Sequence, residues 1–171
     1  MKNSYLLLLC CICSFFGIAK ESSNEKAGLV QQSLISVEQA YIRSSIPGTT
    51  ITSSYMIIEN KGEKTVTLLG ANSKISPRIE IHQHSMSDGM MRMRQVDSID
   101  IKARQRIVLQ PSGLHLMLFD VKNPLKAQQK AELTLNFSNK SSVTIQVPVY
   151  SPLQEKRAHE ADSALQPAHH H

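Results

Sequence analysis

The chain has 171 residues, enough for one domain and little more. Its 41% hydrophobic content supports a buried core, and 5% aromatics with no Trp excludes a base-stacking platform for single-stranded nucleic acid. Nineteen Lys and Arg against 14 Asp and Glu leave a formal charge of +5. That excess is spread without a Lys/Arg run, so it is not a nucleic-acid footprint.

The first segment reads as an export signal. Lys2 is a short positive start, and Tyr5–Ile18 is an apolar run of about 14 residues, short of the roughly 20 that span a bilayer. Gly17 and Ala19 are the small residues of a cleavage site, so a cut after Ala19 and a periplasmic location are predicted. A lipoprotein anchor at Cys10, Cys11 or Cys13 is the competing reading, and none of the three follows the small residue such a signal uses. Those are all the cysteines in the chain. A mature protein starting at Lys20 would carry 18 basic and 14 acidic residues, net +4, and no thiol. Disulfide stapling, thiol catalysis, thiolate metal sites and a blue-copper electron-transfer centre are excluded together.

Residues 20–29 are polar and aperiodic, a lead-in. Over 30–150, short apolar segments alternate with turn signals and no sustained helical period appears. Strands are predicted at 34–42, 53–60, 64–71, 77–84, 90–96, 105–110, 114–121, 130–137 and 142–150. Pro47-Gly48, Asn60-Lys61-Gly62, Asp88-Gly89, Pro111-Ser112-Gly113 and Asn139-Lys140-Ser141 supply turns between them. About eight or nine short strands at this spacing predict an all-β sandwich or barrel. Residues 151–171 turn polar, hold two prolines and end in three histidines, which reads as a loose tail. A phosphate loop, a nucleophile elbow and an HExxH pair are all missing, so the chain reads as a binding protein and not an enzyme.

The chemistry-bearing residues concentrate in two places. His82, His84, Met86, Met90, Met91 and Met93 fall in one short stretch, and His115 and Met117 follow in Leu114–Phe119. On a strand, residues two apart share a face, so His115 and Met117 project together while Leu114, Leu116 and Leu118 face the core. A hairpin turning at 85–89 brings His82 and Met93 almost opposite each other. If that hairpin packs beside 114–119, two imidazoles and two thioethers converge. Thioether with imidazole is a donor set for soft Cu(I); zinc almost never takes thioether, and hard cations prefer oxygen. Methionine packed as ordinary gap-filler would explain any one of these residues alone.

The spacing His82, ten residues, Met93, twenty-one residues, His115, one residue, Met117 resembles the signature of the PCuAC family of periplasmic copper chaperones. The flanking Tyr55-Met56-Ile-Ile-Glu-Asn60-Lys-Gly62 and Pro111-Ser-Gly113-Leu-His115-Leu-Met117-Leu are similar to that family as well. The likeness spans roughly residues 30–150. It implies a cupredoxin-like, that is immunoglobulin-like, β-sandwich binding one Cu(I) through His82, Met93, His115 and Met117. It also implies delivery of copper to the CuA centre of cytochrome c oxidase, directly or beside a Sco-type protein. Where family members commonly have Glu after the first histidine, this chain has Gln83 and then His84, which shares the face of His82 and competes with it. Met86, Met90 and Met91 are further thioethers nearby. His159, His169, His170 and His171 could form a separate imidazole site suited to Cu(II). A monomer meeting membranes only through its partner is expected. Copper sequestration for tolerance, or a metal-free exported interaction module, are the rival readings.

Overall fold

A computed structural model describes residues 34–87 and 89–165. The predicted signal peptide, the 20–29 lead-in and His169–His171 lie outside the described residues. Ten strands run in chain order: β1 Ile35–Arg43, β2 Thr52–Asn60, β3 Val66–Asn72, β4 Arg78–Ser87, β5 Met90–Val96, β6 Ile99–Ile101, β7 Arg106–Leu109, β8 Leu114–Phe119, β9 Lys130–Phe137 and β10 Ser142–Tyr150. Helix α1, Pro152–Leu165, follows them.

The strands form two ladders, β5-β4-β8-β7-β2-β1 and β10-β9-β3-β6, joined by a short parallel pairing of Ile42 with Val149 and Arg43 with Tyr150. Alternation decides which side of each strand is buried. On β9, Ala131, Leu133, Leu135 and Phe137 point inward; on β8, Leu116 and Leu118 do. With Met56, Ile58, Leu68, Ile101, Val147 and Val149 they form one core shared by both ladders, so the open sheet folds over into two facing layers, a sandwich with β5 and β6 at its edges. Asn60 locks one end of it. Its side-chain amide donates to the carbonyls of Lys64 (2.7 Å) and Ile101 (3.0 Å), and its Oδ1 accepts from the Gly62 N–H (2.9 Å).

Three features depart from the sequence reading. Strand β6 is an additional strand, three residues long, too short to show a pattern, and it forms by pairing with Val66–Leu68 of β3. The hairpin between β4 and β5 is tighter than expected. Pairing continues out to Ser87 opposite Met90, leaving a two-residue connection at 88–89 with Gly89 at φ 73°.

The third departure is α1, which replaces most of the expected loose tail. Its start carries a complete capping box. The Gln154 N–H donates to Ser151 Oγ (3.3 Å), the Ser151 N–H donates to Gln154 Oε1 (2.9 Å), and Pro152 takes the first helical position, where no N–H is needed. Glu155 then turns inward and is buried. It accepts a forked pair of bonds from Arg43, 2.9 Å from Nε and 2.5 Å from Nη2, and a third from the Tyr41 hydroxyl at 3.2 Å. Among the described residues no helix is long and apolar enough to cross a membrane.

Glu155→Ala would strand the Arg43 guanidinium and release the first turn of α1. The Arg43 side chain is 36% exposed, so solvent screens part of the interaction. A loss of about 1–2 kcal/mol is expected, read as a lower urea midpoint of the copper-free chain; an unchanged midpoint would mean that this pair does not anchor the helix.

Candidate metal centre

Strand β4 lies between β5 and β8, and its register decides what meets what. Toward β5, His84 stands opposite Met93, His82 opposite Gln95 and Met86 opposite Met91. Toward β8, His82 stands opposite His115 and Glu80 opposite Met117. Because the pleat alternates, Glu80, His82, His84, Met86, Met91, Met93, His115 and Met117 share the face turned away from the core. The expected near-opposition of His82 and Met93 is therefore corrected: the tight turn makes His84 the direct partner, and Met93 stands diagonally across from His82. Met90 is corrected as well, since it pairs with Ser87 and alternates with Met91 onto the other face. His159 falls within α1, its side chain outside the description.

The rings cluster. His115 lies 5.2 Å from His84 and 6.0 Å from His82, centroid to centroid, with Tyr55 at 6.2 Å on its other side. Phe119 flanks His82 at 5.8 Å, with the Arg78 guanidinium 3.8 Å above the Phe119 ring. Metal–imidazole bonds are about 2 Å long, so rings at these separations can turn a nitrogen toward a common ion.

Hydrogen bonds select which nitrogens are free to do so. His115 Nδ1 donates to the Gly113 carbonyl at 3.1 Å, which leaves Nε2 as the lone-pair nitrogen. The same carbonyl accepts the His84 N–H at 3.2 Å, tying β4 to the turn before β8. His82 Nε2 donates to Glu80 Oε2 at 2.8 Å, and Arg78 holds the other Glu80 oxygen at 2.6 Å. These two partners, His82 first, hold the Glu80 carboxyl below the usual carboxylate range. His82 Nδ1 and His84 Nδ1 are left buried with no hydrogen-bond partner. Buried ring nitrogens are rarely left so, which makes these two candidates for a missing electrophile. Burial pushes the His115 imidazole below its ordinary pKa, more than its bond to Gly113 raises it, and so favours the neutral, ligating form.

Exposure is graded across the face. His115 is buried at 2% and Met117 half-buried, while Met93 is 47% exposed. Among the described residues no three His, Cys, Asp or Glu side chains are gathered to hold an ion by themselves. Whatever ion fits here must accept thioether sulfur, which favours soft, low-charge metals. Glu80, Gly113 and Tyr55 were not among the site residues expected from the sequence. Glu80 was legible from its place two residues before His82 on one strand face; the other two needed the tertiary fold.

The fold and its comparisons agree. A copper-bound PCuAC domain from PmoF2 superposes with a TM-score of 0.60 at 25% identity, covering 70% of this chain and 94% of that one. The solution structure of CuI-DR1885 from Deinococcus radiodurans gives 0.59 at 26% identity, over 75% of this chain and 86% of that one. The architecture is thus the cupredoxin-like β fold of PCuAC domains, as the resemblance to that family implied. A family model described as "Putative lipoprotein LpqE-like" matches residues 35–149, and the chain belongs to that family. A relative, "Putative lipoprotein Lxx21020" of Leifsonia xyli subsp. xyli (strain CTCB07), is 31% identical over 116 residues, 67% of this chain and 69% of that protein.

If Glu80 fixes the ring of His82, Glu80→Gln should weaken soft-metal binding by about 10–100-fold without unfolding the sandwich. Competition titration with a chelator, beside a thermal melt of the metal-free protein, separates the two effects. An unchanged affinity would remove Glu80 from the site.

Proposed function

We propose that this chain is an exported copper carrier that binds one Cu(I) through His82, Met93, His115 and Met117 and surrenders it to a partner protein. The observation that carries this reading is the buried, unpartnered His82 Nδ1 on the face that also bears Met93, His115 and Met117. Copper in the PmoF2 domain and in DR1885, proteins of the same fold, supports it.

The chain's own residues divide the work. His82 and His115 are pre-oriented by Glu80 and by the Gly113 carbonyl, so little ordering is left for binding. All four donors are neutral, which leaves the bound ion's charge uncompensated and keeps affinity below that of a thiolate site. Moderate affinity suits cargo that must be released. Met93, the exposed donor, is the one an incoming partner ligand can displace while the two imidazoles still hold the ion. Transfer then proceeds by ligand exchange, with no change in oxidation state and no free ion. A CuA subunit of cytochrome c oxidase or a Sco-type thiol protein fits as recipient, since thiolate donors outcompete thioethers for a soft ion.

Export is supported by the signal-like first 19 residues and by a family and relative described as lipoproteins. Lipid attachment at Cys10, Cys11 or Cys13 is the rival to cleavage after Ala19, and the intact mass of the purified protein separates them.

Anaerobic Cu(I) competition titration tests the ligand set. Met117→Leu and His115→Ala should each lower affinity by more than about tenfold while circular dichroism stays that of a β-sandwich. Unchanged affinity in both would overturn the assignment. A null mutant with normal oxidase at low copper but heightened copper sensitivity would favour sequestration over delivery.

A further inference from the structure

The face that bears the proposed site continues past it. Beyond the opposed pair His84 and Met93, the next pair out along the hairpin is Met86 opposite Met91. Met86, Met91 and Met93 are 68%, 59% and 47% exposed, and none joins the hydrophobic core. They lie on the outermost pair of strands, with β5 at the free edge of its ladder. Large apolar side chains in a row on an edge strand invite aggregation, and nothing in the core asks for them. The other face of β5 shows the usual remedy, with Arg92 and Arg94 exposed. On that face Met90, next to the turn, is the one methionine beside the two arginines, whereas the site face gathers Met86, Met91 and Met93 without a charge between them.

We infer that the hairpin tip forms a second, outer Cu(I) subsite from His84, Met86 and Met91, through which copper passes to and from the inner site. This deepens the proposed function and rests on it. Directly opposed residues in an antiparallel pair hold their β-carbons about 4.5–5.5 Å apart, and methionine has the torsional freedom to bring both sulfurs onto one ion. The imidazole comes from His84, two residues inward on the same face, whose Nδ1 is buried and unpartnered.

His84 also joins the two subsites. Its ring stands 5.2 Å from that of His115, and its backbone N–H is pinned by Gly113, so it cannot follow the tip if the hairpin flexes. An ion on Met86, Met91 and His84 can take Met93, then His115, then His82 and Met117, exchanging one donor at a time. No charge or electron changes hands along that path. The exposed tip sets how fast copper arrives and leaves, and the buried inner donors set how tightly it is held.

The test compares the full protein with the double variant Met86→Leu/Met91→Leu, whose residues lie outside the core. Cu(I) is added anaerobically against a competing chelator, and release to excess chelator is timed by stopped flow. The wild type should bind a second, weaker equivalent, which the double variant loses. The tight equivalent should remain within about twofold of its affinity, and release should slow by more than about fivefold. Met117→Leu should do the reverse, weakening the tight equivalent and sparing the weak one. A single equivalent in the wild type, or release unchanged by the double variant, would overturn the outer subsite while leaving the inner one standing. Absence of any bound Cu(I) would overturn both readings.

Discussion

The register of β4 against its two neighbours is the constraint on which the candidate site depends. Six cross-strand pairs to β8 and seven to β5 align Glu80, His82, His84 and Met86 with Met117, His115, Met93 and Met91. A slip of β4 by one residue would turn Glu80, His82, His84 and Met86 into the core and bring Ile79, Ile81 and Gln83 out in their place. What prevents the slip is the core itself: Ile81, Leu116 and Leu118 are buried on the reverse side of the same strands. Packing energy on one face therefore positions the donors on the other, and the donors need contribute nothing to folding.

A second layer of polar contacts refines that placement. The Gly113 carbonyl accepts from both the His115 ring and the His84 backbone, and Glu80 holds His82 while being held by Arg78. On the far side of His115, Tyr55 leans on its ring, and Arg43 lies over the Tyr55 ring at 5.4 Å. Arg43 is in turn gripped by Glu155 of α1, and Tyr41 stacks between Tyr55 and Tyr150 at 5.0 Å from each. The C-terminal helix is thereby packed into the wall behind the buried histidine.

Much of this was readable in the amino-acid sequence, and the exceptions have physical causes. Alternation and turn residues located nine of the strands because each buries one face, as Ala131, Leu133, Leu135 and Phe137 do. Ile99–Ile101 escaped because three residues carry no period. The helix carried its own signal in Ser151-Pro152-Leu153-Gln154, a capping box that the polar composition behind it obscured. The sharing of a face by His82, His84, Met93, His115 and Met117 followed from strand parity. Which histidine meets Met93 did not, because it depends on whether the hairpin turns over five residues or two. The tautomers of His82 and His115 depend on Glu80 and Gly113, which only the fold brings into range.

X-ray absorption at the copper edge, on the full protein loaded anaerobically with one equivalent of Cu(I), tests the central claim most directly. Mixed coordination is predicted, with imidazole nitrogen and thioether sulfur in the same first shell, and the sulfur contribution should fall in Met117→Leu. A shell of nitrogen and oxygen alone, or a sulfur signal indifferent to Met93 and Met117, would contradict it.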